Sequence, residues 1–299
     1  MKKNLFSQSL ILVLFVAVFA GFVPTVGAQD EAPVIRVGSK DFTESYLLGE
    51  IYSLALEDAG FTVDRQLGIG SAIVHTALVN DEIDLYPEYT GTGLLAILQL
   101  PLETDPQKVF ETVKSEYEKQ FDLVWLDYAS ANDSLALIVK TDVAESLGIA
   151  TISDLQANAN ELRIVAQGGF YQREDALPAL EAVYGKFDWK SSSIVDDALK
   201  YELLENGEAE VAYVAATEGR LTDPKFTVLE DDKQVWPPYN IAPVIRKPVL
   251  DANPEIAGIL KRINEKIDNP TIIALNAKVD IDKEEYEDVA AEFYDTIRE

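Results

Sequence analysis

Residues 83–93 read Ile-Asp-Leu-Tyr-Pro-Glu-Tyr-Thr-Gly-Thr-Gly, and this stretch decides the fold. Residues 83–85 are predicted to form a strand, Pro87 a turn, and residues 92–98 a helix. A helix start has backbone N–H groups without partners in the helix, so it can hold an anion. Tyr89 precedes this start, and an aromatic face beside an anion site suits a small zwitterion. A plain helix cap with a packed tyrosine gives the same pattern.

The alternation of strand and helix extends on both sides of this stretch. Hydrophobic periodicity predicts strands at 34–40 and 61–67, each followed by a helix, an order that is typical of an open α/β sheet. The pattern restarts with a strand at 135–140. Further strands are predicted at 162–167, 211–215, 226–229 and 241–245, and helices at 106–121, 173–184, 195–206, 254–267 and 283–297. Two α/β units predict two lobes of about 100 to 150 residues each, with ligands bound at the carboxyl ends of strands.

Composition excludes several classes of function. The chain of 299 residues carries 52 acidic and 25 basic side chains, a net charge of −27. Such a surface repels nucleic acid and anionic lipid. There is no Cys, which removes disulfides, thiolate sites and lipid attachment through an N-terminal cysteine. His75 is the one histidine, so no site can use two imidazoles, and we expect neither a metal nor a cofactor.

The sequence offers little for an enzyme. Residues 68–71 read Gly-Ile-Gly-Ser after a predicted strand, but this turn lacks the third glycine of a dinucleotide loop and the lysine of a P-loop. No GxSxG occurs. Paired carboxylates are uninformative in so acidic a chain. We therefore expect a binding protein rather than an enzyme.

The first residues are typical of a secretory signal peptide. Lys2 and Lys3 precede an apolar run at 10–23, Pro24 interrupts it, and small residues at 26–28 offer a cleavage site. The run is short for a membrane span, although an uncleaved anchor remains the alternative. We expect a signal peptide over 1–28 and an exported, periplasmic or extracellular protein that is not a lipoprotein.

Five ordered blocks resemble the glycine betaine/carnitine/choline substrate-binding proteins of osmoprotectant ABC importers. The first block reads Val-Gly-Ser-Lys-Asp-Phe-Thr-Glu and the second contains the stretch quoted above. The blocks lie at 37–44, 82–92, 173–178, 217–220 and 229–243. The resemblance implies a two-lobed periplasmic-binding-protein clamp of type II with two crossovers between lobes, near 134–137 and 238–242. It assigns 29–134 and 243–299 to lobe 1, and 135–242 to lobe 2.

The resemblance also implies a ligand site. A lysine, a threonine and an arginine of the family bind the ligand's carboxylate, and Lys40, Thr92 and Arg173 match them. Tyr89 and Tyr239 match two rings of the aromatic cage that holds a quaternary ammonium group. Asp133 is expected to offer a backbone carbonyl to the same cation.

Two positions depart from the family's cage. Leu135 and Ala215 stand where the family typically has tyrosines. Tyr213, two residues before Ala215, points the same way on a strand and is a candidate replacement, as are Tyr171 and Trp236. Two hypotheses therefore stay open: a zwitterionic quaternary-ammonium compound such as glycine betaine, choline or carnitine, or a different zwitterion or amino acid on the same scaffold.

The expected mechanism is capture without chemistry. The solute binds one lobe, the other lobe closes over it, and the closed form docks on an ABC permease driven by an ATPase. We expect a monomer. An exported enzyme on this fold and a purely structural or protein-binding role are the competing classes.

Overall fold

A computed structural model describes residues 34–196 and 199–298 of the chain. The expected signal peptide over 1–28 lies outside the described residues. Ten strands are described: β1 Val34–Gly38, β2 Thr62–Gln66, β3 Leu85–Tyr89, β4 Leu123–Trp125, β5 Leu135–Lys140, β6 Arg163–Ala166, β7 Ser191–Ile194, β8 Val211–Ala215, β9 Phe226–Val228 and β10 Ile241–Arg246. They form two five-stranded sheets of the same design, ordered β2-β1-β3-β10-β4 and β7-β6-β8-β5-β9.

The helices cover both faces of the sheets. In the described ranges they are α1 Thr43–Asp58, α2 Val74–Val79, α3 Thr90–Thr92, α4 Pro106–Phe121, α5 Thr141–Leu147, α6 Ile152–Asn158, α7 Gly168–Gln172, α8 Leu177–Tyr184, α9 Lys200–Glu205, α10 Lys247–Ala252, α11 Glu255–Asn264, α12 Asn269–Asp280 and α13 Tyr286–Ile297. A π-helical turn, Gly93–Ile97, continues α3, and short 3-10 turns lie at Ala159–Glu161 and Gly219–Thr222. None of these helices is both long and apolar enough to cross a membrane.

Each sheet has a long strand that runs against its neighbours. In the first sheet β10 is antiparallel to β3 and β4, while β1 is parallel to β2 and β3. In the second sheet β5 is antiparallel to β8 and β9, while β6 is parallel to β7 and β8. The side chains of β5 alternate between two cores, as a strand covered on both faces requires: Leu137 and Val139 enter one core, Ala136 and Ile138 the other.

The chain crosses twice between the sheets. We call residues 34–125 and 241–298 the first lobe, because α11, α12 and α13 pack on α1 beside the first sheet. Residues 135–228 are the second lobe, and 126–134 and 229–240 are the crossovers. The expected end of lobe 2 at residue 242 needs correction, because Ile241 and Ala242 already pair with Tyr89 and Glu88 in the first sheet. The register of β10 continues without a break from these pairs.

The crossovers run side by side. Asn132 and Asn240 form an antiparallel bridge, and the Asp133 N–H donates to the carbonyl of Tyr239 at 3.1 Å. The Tyr239 N–H in turn donates to the Asn132 side chain at 2.7 Å. These bonds bring two predicted site residues together although they are far apart in the chain.

The stretch around Pro87 is more regular than predicted. We expected a strand to end near Leu85 and a turn at Pro87, but β3 continues to Tyr89 and Pro87 pairs with Pro243. Proline has no backbone N–H, but Pro87 loses no hydrogen bond to β1, because β1 pairs with β3 only at Leu85 and ends before Pro87. The strand therefore delivers Tyr89 directly to the helix start at Thr90.

Candidate functional site

The start of α3 is bonded to the second crossover. The Thr90 N–H donates to the carbonyl of Asn240 at 3.0 Å, and the Thr90 hydroxyl donates to the carbonyl of Pro238 at 3.0 Å. A Cβ on Gly91 would lie 2.7 Å from the ring of Tyr239, so only glycine allows that ring to pack on the backbone here. The turn that carries Thr92 is thus held against Tyr239.

Arg173 is held by an acid from its own segment. Its guanidinium donates to Asp175 at 2.9 and 2.5 Å, and the Tyr239 hydroxyl also donates to Asp175. Burial opposes ionisation of Asp175, but the bonds from Arg173 and Tyr239 outweigh it and lower its pKa. The bond to Asp175 also raises the pKa of Arg173. An ionised Asp175 therefore orients both Arg173 and Tyr239.

The backbone at Arg173 differs from the prediction. We expected Arg173 at the start of a helix over 173–184, with a small dipole penalty that indicated another partner. That expectation is wrong: Arg173 follows the end of α7 with extended backbone, and the next helix begins at Leu177. The hydrogen bonds with Asp175, rather than a helix dipole, explain the position of the Arg173 side chain.

One cavity brings three predicted residues together. It has a volume of 630 Å³ and is lined by Thr92 of the first lobe, Arg173 of the second lobe and Tyr239 of the crossover. Its remaining walls are Gly91, Leu95, Ala96, Gln99, Leu100, Pro101, Leu102, Glu174 and Asp175. A carboxylate in this cavity can reach a hydroxyl on one lobe and a guanidinium on the other.

Lys40 and Tyr89 lie deeper in the first lobe. Lys40 is 5% exposed and forms an ion pair with Glu88, whose second oxygen accepts from the Tyr86 hydroxyl at 2.7 Å. The Lys40 ammonium lies 4.7 Å from the centroid of the Tyr89 ring. Neither Lys40 nor Tyr89 is among the described residues that line the 630 Å³ cavity. One face of Tyr89 thus already contacts a cation of the protein itself.

A network of buried polar groups joins the lobes beside Tyr89. The Tyr89 hydroxyl donates to Glu44 at 2.8 Å, and the Asn276 amide donates to Glu44 at 3.0 Å. The Thr217 hydroxyl of the second lobe donates to Asp133 at 2.6 Å, while its carbonyl accepts from Asn276 at 2.8 Å. Each lobe thus contributes a side of the network.

The pKa values of both acids in this network are raised. Burial raises the pKa of Glu44 against the hydrogen bonds that it accepts. Burial and then the charge of Glu44 raise the pKa of Asp133 well above its ordinary value. When the pKa values of two neighbouring carboxyl groups are both raised, the pair holds one shared proton more readily than both groups ionise.

A second cavity of 650 Å³ lies at this network. Asp133 and Ala215, two predicted site residues, line it together with Glu44, Thr217 and Asn276. Glu44 and Thr217 fall inside blocks that carry the family resemblance, yet the sequence analysis gave neither a role. Asn276 lies in α12, a helix that the sequence analysis did not predict, so no sequence signal pointed to it.

The two departures from the family's cage face each other. Leu135 of β5 pairs with Ala215 of β8, and Leu137 pairs with Tyr213. Because Tyr213 and Ala215 are two residues apart on one strand, they point to the same face. Tyr213 is 4% exposed, and its ring centroid lies 4.8 Å from that of Phe170. Leu135 packs against the hydrophobic cores of both lobes.

The other two candidate rings lie near Tyr213 in the same core. The Tyr171 hydroxyl is 2.6 Å from that of Ser192. Trp236 is 7% exposed and its indole N–H has no hydrogen-bond partner among the described residues. His75 contacts Tyr117 and Phe121 edge to face. The described part of the chain holds no group of three side chains suited to a metal ion.

Comparison with known families identifies the scaffold. A family model described as the substrate-binding domain of ABC-type glycine betaine transport systems matches residues 33–296. The chain belongs to this family. Membership confirms the expectation of a substrate-binding component of an ABC transporter rather than an enzyme.

Relatives of the chain are named after different ligands. The chain is 35% identical over 273 residues to a glycine-betaine-binding protein of Pseudomonas aeruginosa, covering 88% of each. It is 32% identical over 299 residues to an ergothioneine transport permease/ergothioneine binding protein of Helicobacter pylori, covering 99% of this chain and 53% of that protein. The chain thus spans about half the length of that relative.

Solved structures of the family confirm the two-lobed α/β fold. Apo YehZ from Escherichia coli is 30% identical, covers 89% of this chain and 99% of its own, and superposes with a TM-score of 0.74.

Proposed function

We propose that the chain captures a zwitterionic quaternary-ammonium solute between its lobes and delivers it, outside the cytoplasm, to an ABC permease driven by a cytoplasmic ATPase. One observation carries the proposal: Thr92 of the first lobe and Arg173 of the second line the same cavity, with Tyr239 of the crossover between them. A solute held by both groups stabilises the closed arrangement of the lobes, which is the form that a permease can distinguish.

The carboxylate end of the solute is assigned to Thr92, Arg173 and Lys40. The Arg173 side chain is half exposed and already oriented by Asp175. It can therefore bind a second carboxylate with little loss of side-chain entropy. Lys40 is assigned by its match to the family's lysine, and it must leave its ion pair with Glu88 to join the other two.

The cationic end is assigned to Tyr89, Tyr239 and Tyr213, with a carbonyl contact from Asp133. Each cation–π contact contributes about 0.5–2 kcal/mol. With Tyr213 in place of one of the two rings absent at Leu135 and Ala215, the cage is one ring short of four. The missing contact lowers affinity for a trimethylammonium group by about 2- to 30-fold, at about 1.4 kcal/mol per tenfold.

A second candidate ligand is a bulkier or less cationic zwitterion, including an amino acid. The paired Leu135 and Ala215 favour it, because a small and an aliphatic side chain leave room where two rings would close the cage. Both candidates use the carboxylate anchor, so the cation end distinguishes them.

Calorimetric titration of residues 29–299, freed of bound solute by unfolding and refolding, tests the proposal. Glycine betaine carries both charges, whereas choline has the cation without a carboxylate. Arg173→Gln should weaken betaine by at least about tenfold and leave choline within about twofold, since a charged hydrogen bond contributes about 1.5–3 kcal/mol. Equal effects on both solutes would contradict the carboxylate assignment.

Restoring a ring separates the two candidate ligands. Ala215→Tyr should tighten betaine by about 2- to 30-fold if the ligand is a quaternary ammonium compound. Ala150→Tyr is the matched control, since Ala150 is exposed and belongs to the same lobe. If Ala215→Tyr instead abolishes binding of a larger zwitterion that the unmodified protein prefers, the second candidate holds.

A further inference from the structure

The first-lobe side of the 630 Å³ cavity is a continuous apolar wall. Eight residues of the segment from Gly91 to Leu102 line this side. After Thr92 these lining residues are Leu, Ala and Pro, with Gln99 as the exception. Leu102 is 46% exposed, one of the few large apolar side chains left open to solvent in the described part of the chain. The charged residues Arg173, Glu174 and Asp175, which belong to the second lobe, line the same cavity.

The local backbone builds the wall and holds it in place. In the π-helical turn Gly93–Ile97, the Leu98 N–H donates to the carbonyl of Gly93 at 3.0 Å. The chain then folds back: Gln99 adopts φ 52°, and the Leu100 N–H donates to the carbonyl of Leu94 at 3.0 Å. A Cβ on Gly93 would lie 2.7 Å from the Trp125 ring, so the turn is pressed against the core. π-helical turns are rare and often occur at functional sites.

In this arrangement of the lobes the cavity has more room than the smallest solutes of the proposed class occupy. Glycine betaine has about eight non-hydrogen atoms, and at about 30 Å³ each, the share of a water molecule in the liquid, it occupies about 240 Å³. The cavity measures 630 Å³, so more than half of it stays free. The lining residues between Leu95 and Leu102 are mostly apolar and do not anchor the carboxylate, so we assign the free part to them.

We infer that the segment 95–102 is a second subsite, which takes an apolar or planar substituent on the carbon chain of the zwitterion. The inference rests on the proposed function. It names the ligand class more narrowly: a betaine of a larger amino acid rather than glycine betaine or choline. Wall residues Ala96 and Leu102 then determine specificity by contact with that substituent.

Two probes that share a head group test the inference. Glycine betaine and N,N,N-trimethylphenylalanine both carry a trimethylammonium group beside a carboxylate, and only the second has a benzyl group. Calorimetry should show trimethylphenylalanine binding at least about tenfold tighter, since burial of an aromatic side chain contributes about 1.5–3 kcal/mol. Equal affinity, or tighter betaine, overturns the inference and leaves the proposed function standing. No binding of either probe at millimolar concentration overturns both.

Wall variants locate the preference. Leu102→Ala should weaken trimethylphenylalanine by about fivefold and change betaine by less than about twofold. Leu199→Ala is the matched control, because Leu199 is 45% exposed and lies on the second lobe. Ala96→Phe should fill the subsite and abolish the preference for the larger probe, whereas Ala150→Phe on an exposed loop should not. A Leu102→Ala effect that is the same for both probes would overturn the subsite.

Discussion

A tight contact between a glycine of the second lobe and a helix of the first lobe predicts the effect of one methyl group. Gly219 begins the 3-10 turn after β8 and packs on α12 of the first lobe. A Cβ at Gly219 would lie 2.6 Å from the backbone N and Cα of Ala277 and 2.8 Å from the carbonyl carbon of Asn276. Carbon atoms in contact normally stay about 3.5–4.0 Å apart. Gly219→Ala therefore forces the two lobes apart by about 1 Å at this point.

The cost follows from the rigidity of the neighbours. Backbone atoms of a helix cannot rotate away as a flexible side chain can, so overpacking of about 1–3 kcal/mol applies. Replacing glycine restricts the unfolded chain and offsets about 0.4–1 kcal/mol. The net expectation is a loss of up to about 2.6 kcal/mol, with about 1 to 2 kcal/mol in the middle of the range. If the loss falls on the closed state alone, affinity for the solute drops by about 5- to 30-fold.

Urea denaturation and calorimetric titration measure these two quantities. Gly258→Ala is the matched control, because Gly258 lies inside α11 and a Cβ there would meet nothing nearer than Arg262 Nη1 at 4.0 Å. The control should gain about 1 kcal/mol from helix propensity. A Gly219→Ala protein that is as stable as the unmodified chain and binds solute equally well would refute the reasoning.

Other predictions concern buried charge and one helix end. Glu88→Gln leaves the Lys40 ammonium buried without its partner, so urea denaturation should show a loss of about 3–5 kcal/mol; a loss below 1 kcal/mol would mean that Lys40 reaches solvent. Asp133 has a folded pKa raised above its unfolded value, so its penalty is absent below the unfolded pKa and grows as pH rises through the folded pKa. Asp133→Asn should thus stabilise the protein near pH 7 by about 1.4 kcal/mol for each unit of that shift that lies below pH 7, with the gain shrinking toward pH 4; a gain that is independent of pH would mean that the pKa of Asp133 is not raised. Asp122 ends α4 with φ 57°, so Asp122→Gly should raise the midpoint of thermal unfolding by about 1 to 3 °C, and a lower midpoint would contradict the strain assigned to that residue.

Elements with strong local signals were predicted to the residue. The helix α4 runs over Pro106–Phe121 as expected, because Asp105 caps its first N–H groups, Pro106 suits its first turn and Asp122 ends it in the left-handed region. The strands β5 and β8 also have their predicted bounds. Elements with weak or conflicting signals were predicted wrongly. The helix α12 was not predicted, and Pro87 was assigned to a turn although it lies within β3.

The family and the two-lobed α/β fold follow from the sequence alone, because short motifs and hydrophobic alternation are local properties of the chain. The residues of an anion anchor are a prediction from the same motifs. Only the tertiary structure decided which of those residues share a cavity. Thr92, Arg173 and Tyr239 line one cavity, Asp133 and Ala215 line another, and Lys40 pairs with Glu88 in the core. Such groupings depend on contacts between residues far apart in sequence and on the pairing of buried charges. Neither of these produces a periodic pattern in the sequence.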